Sequence, residues 1–79
     1  MYNYRATVIR NILADGKVVL HKGQEVDVEC RYRAASIIDI PLDDNTVVCT
    51  DLFDIEYIPG TDFVSEPRKS VLVFQGSSA

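Results

Sequence analysis

Three kinds of side chain in this sequence could do chemistry: one histidine, two cysteines and a run of carboxylates. His21 is the only imidazole and stands in the turn His21-Lys22-Gly23-Gln24, beside a cation. A general base or metal ligand needs a second group to orient it, and no carboxylate or thiol is spaced to do so. Cys30 falls in phase with Val26 and Val28 on an apolar stripe, where burial raises a thiol's pKa and suppresses its nucleophilicity. Cys30 and Cys49 lack the spacing of metal ligands; their even number admits a disulfide but does not require one. Asp43-Asp44-Asn45 offers oxygen atoms, yet the alternate spacing, central glycine and distal glutamate of a calcium loop do not follow. Asp and Asn are in any case the expected residues of a tight turn, because their side chains bond their own backbone. No catalytic, cofactor-binding or metal residue is therefore expected, and the chain reads as a non-enzyme.

The carboxylates are the remaining candidates. Residues 34–62 hold seven (Asp39, Asp43, Asp44, Asp51, Asp54, Glu56 and Asp62) and no Lys or Arg, whereas residues 1–33 carry six cations against four acids. A negative surface captures Arg and Lys groups and accelerates encounter with a basic partner. Asp39, Asp43, Asp44, Asp51, Asp54 and Glu56, with Phe53 as an aromatic anchor, form the candidate partner-binding set. Phosphate contacts need clustered cations, so nucleic acid is not an expected partner of this half. Arg5, Arg10, Lys17, Lys22, Arg31 and Arg33 in the first half are the residues that could serve one.

These side chains must be positioned by strands. Glu25-Val26-Asp27-Val28-Glu29-Cys30-Arg31-Tyr32 alternates polar with apolar, the pattern of a half-buried strand. Val26, Val28, Cys30 and Tyr32 face the core and the charged residues face away. A first strand is predicted over Tyr2 to Ile12, and Ala14-Asp15-Gly16-Lys17 as a hairpin turn, since Asp-Gly supplies positive φ. Val18 to Leu20 is a short second strand. Ser36 to Ile40 and Thr46 to Thr50 make a hairpin, with Pro41 ending its first arm because proline has no ladder donor. Asp51 to Asp54 reads as a single 3₁₀ turn, Ile55 to Ile58 as a closing strand, and Val71 to Phe74 as an extra C-terminal strand before a flexible Gly-Ser end. No segment has a sustained helical period. With 79 residues, one domain is expected. The barrel proper should occupy residues 1–60, and residues 61–79 should be an extension.

The segment Leu20-His21-Lys22-Gly23-Gln24-Glu25-Val26-Asp27-Val28 resembles the Lys-Gly-acid step into an alternating strand found in SH3-like barrels. Thr46 to Ile58 is likewise similar to their closing strand, 3₁₀ turn and final strand. The resemblance covers about three quarters of the chain and implies an all-β fold: a five-stranded SH3-like barrel or strongly twisted antiparallel sheet. The Trp pair of peptide-binding SH3 domains is absent, so their proline-rich ligands are not carried over. In size and acidity the chain is more similar to the compact SH3-like proteins of bacteria and their phages, which include inhibitors of host enzymes.

The expected function is protein binding through an acidic surface, as a phage-type inhibitor of a host nucleic-acid-binding or defence protein. The alternative is a small assembly subunit, a homodimer formed through Val71 to Phe74, because an unpaired apolar strand seeks a partner. No apolar run reaches membrane-spanning length, so no membrane partner is expected. Met1-Tyr2-Asn3-Tyr4-Arg5 lacks the apolar stretch of a secretion signal, so a cytoplasmic location with reduced thiols is expected.

Overall fold

A computed structural model describes all residues, 1–79. It is all-β apart from one 3₁₀ turn. Strand β1 (Tyr2–Val8) is followed by the hairpin β2 (Ile12–Ala14) and β3 (Lys17–Leu20), then β4 (Glu25–Cys30). The hairpin β5 (Ile37–Pro41) and β6 (Thr46–Asp51) leads through the 3₁₀ turn Leu52–Asp54 into β7 (Ile55–Tyr57). Three further strands complete the chain: β8 (Phe63–Val64), β9 (Leu72–Gln75) and β10 (Ser77–Ser78).

The strands form two sheets rather than a closed five-stranded barrel. The larger has seven strands in the order β7-β1-β4-β5-β6-β9, with β8 also on β1; the smaller is β10-β2-β3. The expected all-antiparallel pairing is also corrected, because β9 runs parallel to β6, Thr46 opposite Leu72 through Cys49 opposite Gln75. The first departure comes from the β2–β3 hairpin, which pairs with no strand of the larger sheet, and the second from residues 61–79. After pairing with β1, the chain passes to the far edge of the sheet, with Arg68 anchored at 2.7 Å on Glu29 of β4. It therefore enters β9 in the direction of β6.

The predicted first strand is broken. Continued alternation after Tyr4, Ala6 and Val8 would turn the Arg10 guanidinium into the core. Instead the ladder ends at Val8, the Ile9 N–H donates to the Asp54 carbonyl at 3.0 Å, and Arg10 stays exposed while Ile12 becomes fully buried. The next turn is as expected: Asp15 (φ 52°) and Gly16 (φ 77°) both lie in the left-handed region that a two-residue hairpin requires.

β4 ends at Cys30, so Tyr32 is not on the core face but exposed; Ala35 bonds back to the Tyr32 carbonyl at 3.2 Å and is buried in its stead. The core is the inner face of the larger sheet closed by the small hairpin, with Val8, Ile12, Leu20, Val28, Ile38, Ile40 and Val48 essentially without solvent contact. Cys30 pairs with Tyr2 on that inner face, and Cys49 pairs with Asp39 on the outer face. The two thiols are free and lie on opposite sides of the sheet, which rules out a bridge. No helix is long and apolar enough to cross a membrane.

The Gly-Ser end, read as flexible, is paired: β10 lies against β2, Ser77 opposite Leu13 and Ser78 opposite Ile12. Gly76 makes this possible. A Cβ there would stand 2.9 Å from both Ile12 Cγ2 and Val48 Cγ1, so only a glycine lets the backbone pass between the two sheets.

Candidate functional site

Strand parity, rather than position along the chain, gathers the carboxylates. Glu25, Asp27 and Glu29 alternate with buried Val26, Val28 and Cys30, so all three stand on the outer face of β4. The neighbouring strands continue the set. Thr7 of β1 lies between Glu25 and Glu56 of β7, and Glu29 lies opposite Asp39 of β5, which is opposite Cys49 of β6. Asp51, two residues beyond Cys49, shares that face and is exposed.

This outer face thus bears six carboxylates. Two are compensated: Asp27 by Arg5 at 2.8 Å, and Glu29 by Arg68 at 2.7 Å. The second pairing relieves a direct cross-strand contact between Glu29 and Asp39, which would otherwise be repulsive. Glu25, Asp39, Asp51 and Glu56 have no cation within ion-pair distance. With strands about 4.8 Å apart, Glu25 and Glu56 stand about 10 Å from one another across Thr7.

The residues singled out from sequence separate into three groups. Asp39, Asp51 and Glu56 belong to the outer face. Asp43 and Asp44 lie at the exposed tip of the β5–β6 hairpin, where Asp43 Oδ1 accepts the Asn45 N–H at 2.8 Å. Because Ile37 pairs with Asp51 and Pro41 with Val47, the tip is at the opposite end of the hairpin from Asp51, more than about 13 Å along the strands. Asp54 is not on the surface: it is 3 % exposed, accepts the Thr50 hydroxyl and lies 3.5 Å from Arg10 Nε. Phe53, on the 3₁₀ turn that joins β6 to β7, is 78 % exposed.

Glu25, Asp27 and Glu29 were missed as site residues, although the alternation of β4 already placed them together. Counting charge by segment conceals what parity brings onto one face.

A second feature escaped the sequence. Tyr2 and Tyr4 of β1, Tyr57 of β7, Leu52, Arg33 and Asp62 line a concavity of about 240 Å³. The Tyr4 ring meets Tyr57 edge to face at 5.3 Å and is tilted against Tyr2 at 6.5 Å. Hydrogen bonding to the Asp62 carboxylate, then desolvation, pushes the Tyr57 hydroxyl above its ordinary value; for Tyr2 desolvation leads and Asp62 follows. Burial, reinforced by Cys30, raises Tyr4 further. The thiols are likewise pushed up, each first by burial, with Asp39 adding to the effect, which keeps them poor nucleophiles.

Comparison with protein families, with curated proteins and with solved structures finds no match to this chain.

Proposed function

We propose that the chain is a non-enzymatic protein-binding module whose outer sheet face docks a basic partner surface. The observation that supports this reading is the uncompensated set Glu25, Asp39, Asp51 and Glu56 on one side of a single sheet, with Phe53 exposed on the turn that follows Asp51. The ladder holds Glu25 and Glu56 on either side of Thr7, and Asp39 and Asp51 on adjacent strands of one hairpin, so little backbone ordering entropy is lost when a basic surface arrives. A surface that binds such carboxylates is one that would otherwise bind phosphates. Competition with nucleic acid for a host protein, in the manner of a small phage inhibitor, is the corresponding role. A reducing cytoplasm suits its two free thiols.

The test separates this face from net charge alone. The probe is an immobilised hexa-arginine peptide, and two variants each remove two negative charges: Glu25→Gln with Glu56→Gln on the face, and Asp43→Asn with Asp44→Asn at the hairpin tip. At low salt the face variant is expected to weaken binding about five- to tenfold and the tip variant less than about twofold. Equal weakening would assign the binding to overall charge and remove the face from the account.

A second reading is favoured by the open edge of β9. Leu72 and Val73 are 69 % and 60 % exposed, and β9 has β6 on one side and no strand on the other. Such an edge templates pairing with another copy, as an assembly subunit requires. Sedimentation of the wild type should then show a dimer that Val73→Lys converts to monomer; a monomer in both eliminates this reading.

A further inference from the structure

We propose that the tyrosine-walled concavity is a binding site for an arginine side chain of a partner protein, and that Arg33 is its resident stand-in. The site shares no residue with the outer carboxylate face and does not depend on it. Its walls come from two stretches far apart in the chain: Tyr2 and Tyr4 from β1, and Tyr57 and Asp62 from the end of β7 and the loop before β8.

The first argument is the occupant already present. Arg33 Cζ lies 5.7 Å from the Tyr2 ring centroid, within the range where a guanidinium is attracted by the negative face of an aromatic ring. The concavity therefore already holds a guanidinium at its margin. Arg33 belongs to the connector between β4 and β5, outside either strand, and makes no ion pair. Its removal from the ring would break no salt bridge.

The second argument is charge. Asp62 is exposed and has no Lys or Arg within ion-pair distance, Arg33 included. Its carboxylate has about four acceptor positions. Lining the concavity beside Tyr2 and Tyr57, it has room for the paired N–H groups of one planar guanidinium. That carboxylate and the aromatic walls thus face the same space. Flat cation, aromatic faces and a carboxylate in one plane's reach suit arginine better than lysine, whose ammonium neither stacks nor binds bidentately. A proline-rich segment would use the walls but leave Asp62 without a partner.

The experiment is an amide-resonance titration of the full chain with a blocked glycine–arginine–glycine tripeptide. The comparison ligand carries citrulline, which keeps the shape and loses the charge. Arginine is expected to shift Tyr2, Tyr57 and Asp62, and citrulline to bind at least about tenfold more weakly. Arg33→Ala, which removes the stand-in, should tighten arginine binding about three- to tenfold, and Asp62→Asn should weaken it by about tenfold. Both residues are exposed, so both variants keep the fold, and their unliganded spectra verify it. Equal binding of arginine and citrulline, indifference to both substitutions, or a preference for a polyproline peptide would each overturn the proposal. Shifts confined to Glu25, Asp27 and Glu29 would overturn it too, while leaving the outer face as the arginine-binding surface.

Discussion

Asp54→Ala is expected to lower the unfolding free energy by about 2–3 kcal/mol, through lost structure rather than lost recognition. In this fold the carboxylate joins three elements. One oxygen accepts the Thr50 hydroxyl from β6, the other faces Arg10 beyond β1, and the backbone carbonyl accepts the Ile9 N–H at the break in that strand. Thr50 is buried, so alanine leaves a hydroxyl without an acceptor. Arg10 is about half exposed and can turn to solvent, which keeps the loss below that of a fully enclosed ion pair. In a domain of this size each kcal/mol moves the melting temperature by about 4–8 °C, so the midpoint should fall by roughly 10–20 °C. Asp54→Asn retains an acceptor for Thr50 and should cost about half as much. Thermal unfolding by circular dichroism measures both. An unchanged midpoint in Asp54→Ala would return this carboxylate to the pool available to a partner.

Asp54 also shows where reading from sequence stops. Local signals were legible to within a residue or two: the alternation of β4 as far as Cys30, the Asp15-Gly16 turn, the hairpin of β5 and β6, whose first arm includes Pro41 rather than stopping before it, and the 3₁₀ turn after it. Each depends on contacts within about ten positions, where turn chemistry and side-chain period act directly. Whether a carboxylate on a single helical turn faces water or an arginine 44 positions earlier depends on how that turn seats, which no local pattern states.

The same distinction explains the binding surfaces. Tyr2 and Tyr4 share a face by parity, but Tyr57 and Asp62 join them only because β7 and the bend after it return to the edge of β1. For the acidic face, the signal was present in the sequence and was grouped wrongly. A count over residues 34–62 united Asp43, Asp54 and Asp51, which point to a loop tip, the interior and the outer face. It left out Glu25, Asp27 and Glu29 on the strand between Asp39 and Arg5. The parallel pairing of β9 with β6 is the extreme case, since Val71 to Phe74 is strand-like in any register and only the path of residues 65–71 selects its neighbour.

Removing residues 71–79 is expected to destabilise the domain by more than about 3 kcal/mol, enough to unfold much of a chain this small at 37 °C. The deletion strips β9 from β6 and β10 from β2, and with them the cover over Val48 and Ile12, both of which are free of solvent in the intact fold. Half-buried Phe74 is lost as well, opposite Val48. Gly76→Ala probes the same junction without deleting it. Its methyl group would meet Ile12 and Val48 at 2.9 Å, an overpacking that costs about 1–3 kcal/mol or forces the last strand to lift away. Urea unfolding should therefore order the three chains as intact, Gly76→Ala, truncated, by falling midpoint. This order matters for the assembly reading. If the tail is part of the core, a truncated chain that fails to self-associate has lost its fold, and only an edge substitution such as Val73→Lys reports on pairing between copies. If instead truncation leaves the midpoint where it was, residues 71–79 are an appendage, the folded unit ends before them, and β9 is free to serve another subunit.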